Sequence, residues 1–335
     1  MLTIDPALLT ETAEQRDLRT VARDFFAAHG TDEAVWKRMA GELGVQGLAI
    51  PEKYGGAGYS FAELAVVLEE AGRALCAGGL LPTVVLAAHT LLLSGDERYL
   101  PGIADGSLTA TVALDGDVQA RDGTLSGTAD FVLGGADADL VLVRAGDRLF
   151  ACEPDAAART PLRVLDESRP QARLEFRGTP ATPIGTADIG PRVLDIGRAA
   201  LAAEQVGGIG HALEATVAYV GQRRQFGRPI GSFQAVKHRL AALLVEYEAA
   251  RSAAAYAIAC VSSGSPELPV AAAAAATVCT GAYRLAVAEY VQLHGGTGFT
   301  WEHPAHRYVR RARADEVLFG TPQDRHARLA AALGL

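Results

Sequence analysis

At 335 residues, with 49% hydrophobic and 21% charged side chains, the chain is long enough for two or three packed units and has the composition of a folded protein, not a disordered one. Its formal net charge of -8 lacks the basic excess of a generic nucleic-acid surface, and Cys76, Cys152, Cys260 and Cys279 show no metal-finger or CxxC spacing and read as small buried hydrophobes. No basic segment followed by an apolar one opens the sequence, and the most apolar stretch, about Leu268 to Tyr283, falls short of the ~20 residues of a membrane span, so a cytoplasmic protein without nucleic-acid or membrane partners is expected.

From residue 1 to 106 the texture is helical. Apolar residues recur three and four apart in Leu18, Val21 and Phe25 and in Leu64, Val67 and Leu68, while Pro51 and the glycines at 55, 56 and 58 mark a loop. From 107 to 185 short β-type runs take over: Thr109 to Leu114, Phe131 to Leu133, Leu140 to Val143 and Leu174 to Phe176. Gly, Asp and Pro clusters separate them, which predicts a small antiparallel sheet or barrel. From 186 to 335 the chain is helical again. Val193 to Gln222 predicts one helix of about 30 residues, ~45 Å long, with Arg223 and Arg224 at its carboxyl end, where cations suit the helix dipole. A loop from Phe226 to Ser232 follows, then a second long helix from about Phe233. The basic run from Arg307 to Arg313, beside Asp315 and Glu316, reads as a solvated segment. The fold class is therefore mainly α with a small β domain, and the abundant alanine suits closely packed helices.

Two motifs stand out: Arg223 to Gln234 (RRQFGRPIGSFQ) and Gln292 to Phe299 (QLHGGTGF). With Tyr54 to Gly58 (YGGAG) near the start and Gly320 to Gln323 (GTPQ) near the end, they resemble the signatures of the acyl-CoA dehydrogenase family, in the same order and over nearly the whole chain. The resemblance implies the acyl-CoA dehydrogenase fold: an amino-terminal helical bundle, a central β-barrel and a carboxyl-terminal four-helix bundle. It also implies FAD as cofactor, an acyl-CoA substrate and an electron-transfer flavoprotein as acceptor. The chemistry of the motifs agrees, since a dinucleotide diphosphate needs fixed positive charge and approachable backbone N–H groups, which arginine and glycine-rich turns offer. The implied cofactor contacts are Arg223, Gln225, Phe226, Gln234, Gln292, Gly295, Gly296 and Thr321. Whether Arg223 or Arg224 makes the contact stays open, and Gly298 is a third glycine through which backbone can approach phosphate. In the family both motifs reach an FAD held mainly by a neighbouring subunit.

The family's catalytic base is missing. Its α,β-dehydrogenation needs an unprotonated carboxylate to remove the α-proton while the flavin accepts the β-hydrogen as hydride. Most members place that glutamate just before the Gly-Thr-x-Gln element, where this chain has Phe319. Others place it early in the long helix before an arginine, where this chain has Gly197 before Arg198. Glu204 lies about two turns, ~10 Å, further along that helix and reads better as a buried glutamate paired with an arginine. Glu316 reads as surface charge and Asp195 as a helix-start acid. The β region departs as well: Leu133 stands where the family has a flavin-facing threonine, and a shortened loop follows Leu114. This pattern, with the helix element AAEQVGG from Ala202 to Gly208, is similar to that of base-lacking subunits of α2β2 acyl-CoA dehydrogenases acting on steroid side chains. The partner implied is a homologous subunit carrying the glutamate. Two other readings stand beside it: a self-sufficient homomeric enzyme using Glu204, and a non-catalytic structural or acyl-CoA-binding protein. The residues leave the acyl group open.

Overall fold

The computed structural model describes residues 4–30, 32, 34–76, 78–153 and 157–334, apart from the side chain of Ala332. Met1 to Thr3, read above for the absence of a leader, lie outside the described residues. Contacts divide the chain into two compact units, one formed by Asp32–Leu64 and Ala77–Gly197, the other by Met1–Thr31, Ala65–Cys76 and Arg198–Leu335.

Helix α1 (Ala13–His29) opens with a capping box in which Thr12 and Gln15 satisfy each other's backbone N–H groups, and it buries Phe25 and Phe26. Short α2 (Val35–Arg38) and α3 (Phe61–Arg73) follow. A wide π-type segment, Leu80–Ala87, runs directly into α4 (Ala88–Ser94), and α5 (Leu100–Ala104) precedes the strands.

The strands are β1 (Ala110–Ala113), β2 (Asp117–Arg121), β3 (Thr124–Leu133), β4 (Leu140–Ala145), β5 (Arg148–Cys152), β6 (Ala157–Pro161), β7 (Gln171–Pro180) and β8 (Thr182–Thr186). They form two four-stranded sheets, ordered β1-β4-β5-β8 and β2-β3-β7-β6. Val141, Val143 and Phe150 of the first sheet and Val118, Leu125, Leu174 and Phe176 of the second share one apolar core, as alternation along each strand requires. The unit is not purely antiparallel as the sequence predicts, because β1 pairs parallel with β4. Between them the chain crosses to the other sheet for β2 and β3, and that crossover brings β4 back in the direction of β1.

Helix α6 (Gly190–Gln222) has 33 residues and starts three residues before the expected Val193. Asp195 therefore sits in its second turn, buried, and not at the helix start. After a miniature hairpin, β9 (Arg224–Gln225) with β10 (Arg228–Pro229), come α7 (Gln234–Ser262), α8 (Leu268–His294), α9 (Ala305–Asp315) and α10 (Pro322–Ala332). Helices α7 and α8 lie side by side, joined by the Arg239–Glu289 ion pair at 2.7 Å and by close-packed alanines. Helix α8 continues well past Tyr283 and, contrary to the sequence reading, is long and apolar enough by length and composition to cross a membrane. Within the fold 61% of its most apolar window is buried, and α7, α9 and α10 pack on it, as on a core helix. The basic run is not wholly solvated either: on α9, Arg311 and Asp315 are buried, and Gln205 Nε2 donates to Asp315 Oδ2 at 3.2 Å. Cys152, Cys260 and Cys279 are buried as expected, whereas Cys76 is only half-buried; burial pushes the Cys279 thiol up to about 12.

The Ala65–Arg73 part of α3 crosses α6 backbone to backbone. A Cβ added at Gly207 would stand 1.8 Å from the Glu69 carbonyl oxygen, and one at Gly72 would stand 2.1 Å from that of Glu204. Around this crossing Arg19 bridges Glu69 at 2.9 Å and Glu70 at 2.7 Å, and Arg73 bridges Glu214 at 2.8 Å.

Candidate functional site

The first motif forms a presented hairpin. The Arg223 N–H closes the last turn of α6 on the Tyr219 carbonyl at 2.8 Å, and Ile230 N–H returns to the Arg223 carbonyl at 2.8 Å. Between β9 and β10 the two-residue turn has positive φ at both positions, +52° at Phe226 and +77° at Gly227. Glycine accepts this freely, whereas phenylalanine is strained by about 1 kcal/mol. The Phe226 ring is 89% exposed, its edge toward Phe233, over which the Arg228 guanidinium sits at 4.0 Å. Arg224 Nη2 donates inward to the Gly227 carbonyl at 3.2 Å, and Gln225 Nε2 to the Arg224 carbonyl at 2.9 Å. Among the described residues, no hydrogen bond or ion pair engages the exposed guanidinium of Arg223. Helix α7 then begins at exposed Gln234 without a side-chain cap on its first N–H groups.

The second motif lies beside the first. The Tyr219 ring stacks on His294 at 4.1 Å, which sets the end of α6 against the end of α8. Gln292, Gly295 and Gly296 are exposed there, and an added Cβ at either glycine would meet nothing within 4 Å. Gly298 is different: a Cβ would stand 2.7 Å from the Val291 carbonyl oxygen, so its missing side chain serves packing inside the chain.

At the expected base position, Phe319 holds a left-handed backbone, φ +61°. Its carbonyl accepts from Arg198 Nε at 3.2 Å and Nη2 at 2.8 Å, so the neighbour of Gly197 and the residue before Gly320 are bonded together. Arg325 Nη1 donates to the carbonyls of Glu316 at 3.0 Å and Gly320 at 3.1 Å. Two buried arginines thus tether this turn by its backbone. Glu316 pairs with Arg313 at 2.9 Å, and Glu204 is 8% exposed at the α3 crossing. Thr321, expected at the cofactor, opens α10: its hydroxyl donates to Asp324 Oδ2 at 2.7 Å and accepts from Asp324 N–H at 3.3 Å. These bonds, with the backbone N–H of Thr321, hold the Asp324 carboxyl below its usual range.

In the β unit, Phe131 is 72% exposed with φ +57°, at a register break between β3 and β7. Leu133 is buried and its carbonyl accepts from Thr111 Oγ1 at 2.5 Å, so it presents no polar group outward from its side chain. Residues 114–116 link β1 to β2 directly. Phe131, Phe226 and Phe319 are three of the five non-glycine residues with left-handed backbone among those described: Phe226 lies within the first motif, Phe319 directly precedes Gly320–Gln323, and Phe131 lies in the β stretch that departs from the family pattern. Such strain gathers at functional positions. The sequence reading missed Tyr219, which holds the two motifs together, and Arg325; Tyr219, one turn before Arg223, was the available signal. The donor set of Arg223, Gln225, Gln292 and the open backbone at Gly295 and Gly296 fits an anionic diphosphate.

Two family descriptions match the chain: acyl-CoA dehydrogenase, N-terminal domain, over residues 12–107, and acyl-CoA dehydrogenase, C-terminal domain, over residues 187–334. The acyl-CoA dehydrogenase IpdE2 of Mycobacterium tuberculosis is 37% identical over 88% of this chain and 85% of its own length. The acyl-CoA dehydrogenase FadE34 of the same organism is 42% identical over 83% of this chain, but the match spans only 39% of that protein. Among solved structures, the Tcur3481-Tcur3483 steroid acyl-CoA dehydrogenase superposes with a TM-score of 0.88 at 32% identity, covering 96% of this chain and 98% of the other.

Proposed function

The chain belongs to the acyl-CoA dehydrogenase family, and from that premise we propose that it is the base-lacking subunit of a cytoplasmic, heterotetrameric, FAD-dependent acyl-CoA dehydrogenase acting on steroid side-chain thioesters. The observation that carries this reading is the Phe319 turn. A phenylalanine, held through its carbonyl by Arg198, stands where a proton acceptor is needed, and Gly197 fills the alternative position. Bound FAD supplies the hydride acceptor. This chain's part is to offer Arg223 and Gln292 to the diphosphate of an FAD seated chiefly in a homologous partner. Gln225 adds the second Nε2 hydrogen that its bond to the Arg224 carbonyl leaves over, and Arg223 is preferred to Arg224 because the latter's guanidinium is turned in to Gly227. The partner supplies the glutamate and the flavin-ring pocket, and an electron-transfer flavoprotein takes the electrons.

Two similarities support an unlike partner. The solved steroid enzyme carries two chain designations, and FadE34 extends over more than twice the matched length, room for a second unit of this size. Glu204, the candidate base of a self-sufficient enzyme, is buried where α6 meets α3, which favours a structural role. Co-expression with homologous chains that carry a glutamate before their Gly-Thr-x-Gln element, followed by flavin spectra and assays over a panel of acyl-CoA thioesters, tests the reading. FAD and turnover are expected in the complex alone; stoichiometric FAD and turnover in the isolated chain overturn it.

A further inference from the structure

Two imidazoles meet at the base of the loop that carries the second motif. His294 ends α8 and His303 stands just before α9, and their ring centroids are 4.6 Å apart, so they clasp residues 295–302 between them. His303 Nδ1 accepts the Ala305 N–H at 3.3 Å, satisfying a free donor at the start of α9. His294 Nδ1 meets the Tyr290 carbonyl at 2.7 Å, and its ring stacks on Tyr219, the residue that sets the Arg223 hairpin beside this loop. Inside the loop the backbone is held by a succession of tight turns, Gly298 N–H to the Gly295 carbonyl, Phe299 to Gly296, Thr300 to Thr297 and His303 to Thr300, at 3.1 to 3.4 Å. Phe299 and Trp301 point into solvent and give the loop little apolar anchorage. The clasp is thus the tie at the base of the loop, beside those further along it: His306 Nε2 meets the Trp301 carbonyl at 3.2 Å, the Arg310 guanidinium lies over the Trp301 ring, and Gly298 packs on Val291.

That tie requires a neutral His303. An imidazolium carries hydrogen on both nitrogens and cannot accept from Ala305. It would also place a cation at a helix N-terminus, where the dipole opposes it, and against His294. The titratable groups around the clasp are Tyr290 and His294 from α8, Tyr219 from α6 and His306 from α9. Beyond Tyr290 the stack continues to Tyr308 and His211, with Arg73 next to them. Glu302, the only carboxylate in the loop, is exposed.

We propose that His303 is a positioning residue for the cofactor-facing loop: its neutral imidazole clasps residues 295–302 through His294 and Ala305, and its protonation frees the loop and releases FAD from the complex. The loop's cofactor role rests on the proposed function above; the clasp itself does not. Burial, and secondarily His306, hold His303 below the ordinary histidine value of 6.5, and burial does the same for His294. The sign follows: the clasp is complete above pH 6.5 and is lost as pH falls from there through the lowered folded value.

The test uses the assembled complex at about pH 7.5 and about pH 5, reading FAD retained after gel filtration and hydrogen exchange of the 295–302 amides corrected for its intrinsic pH dependence. Wild type is expected to lose FAD affinity by about ten-fold at the lower pH, with loop exchange faster by a similar factor. H303N keeps an acceptor for Ala305 but cannot titrate, so both readouts become flat across the range; H303A opens the loop at both pH values. If wild type and H303N lose FAD and loop protection in parallel on acidification, the His303 assignment is overturned while FAD binding at neutral pH leaves the function standing. If the complex holds no FAD at either pH, the functional reading fails, and loop exchange alone decides the clasp.

Discussion

The hairpin after α6 and the turn before α10 are built from similar parts, arginine, a phenylalanine in a left-handed backbone and a glycine, and they use these parts in opposite directions. In the hairpin, the exposed Arg223 guanidinium has no partner among the described residues and Phe226 lies almost fully in solvent. In the turn, Arg198 and Arg325 point inward and bind three carbonyls of their own chain. Donors aimed at backbone stabilise the fold and are closed to a ligand. Donors left open lower no internal energy and gain their value from something outside. The difference is the one the proposed function needs: open donors at the hairpin for a ligand or partner, and a closed, structural turn at Phe319.

The largest test of this comparison is the base. Exchanging the partner's glutamate for glutamine should lower kcat by about 10²–10⁴-fold, while Glu316→Gln, Asp195→Asn and Glu204→Gln in this chain each leave the complex within about ten-fold. A thousand-fold loss in Glu204→Gln, with FAD content and assembly intact, breaks the comparison. Next is the open donor: Arg223→Ala or Gln292→Ala should weaken FAD in the complex about ten-fold or more, as removal of a charge-assisted or open donor bond does. Arg224→Ala should do less, because its guanidinium serves Gly227; equal effects in flavin titrations would remove the distinction. Arg198→Met, by contrast, should cost about 1–3 kcal/mol of stability in chemical unfolding and leave FAD affinity unchanged. The smallest effect belongs to Phe226→Gly, which relieves about 1 kcal/mol of backbone strain. It should raise the unfolding midpoint slightly while weakening association with the partner, and a lowered midpoint would mean that the ring supports the hairpin.

Much of this was legible in the residues because it is local. The long α6 and a break after it follow from periodicity, although the sequence reads that break as a loop and not as a hairpin, and the substitutions at Gly197 and Phe319 are visible through the family resemblance. What stayed hidden depends on distant neighbours. The parallel β1–β4 pairing needs the path of the intervening chain, and the burial of Arg311 and Asp315 needs the face that α9 turns to α8 and Gln205. Thr321 carried two compatible roles, and only the position of Asp324 identifies it as a helix cap. Gly298 likewise sits in a phosphate-binding pattern but is fixed by Val291. Helix α8 passes for a membrane span in composition because a core made of alanine-rich helices is as apolar as lipid.

The glycine crossing of α3 and α6 has a mechanical consequence. Two backbones in contact mesh like an index pin in its slot: sliding either helix by one residue brings a side chain into a gap that admits none. The two segments can shift only as one piece, and the alignment of Glu69 and Glu70 with Arg19 travels with them. A single methyl at Gly207 would therefore be felt first as a broken ion network on α1, some distance from the atom that caused it.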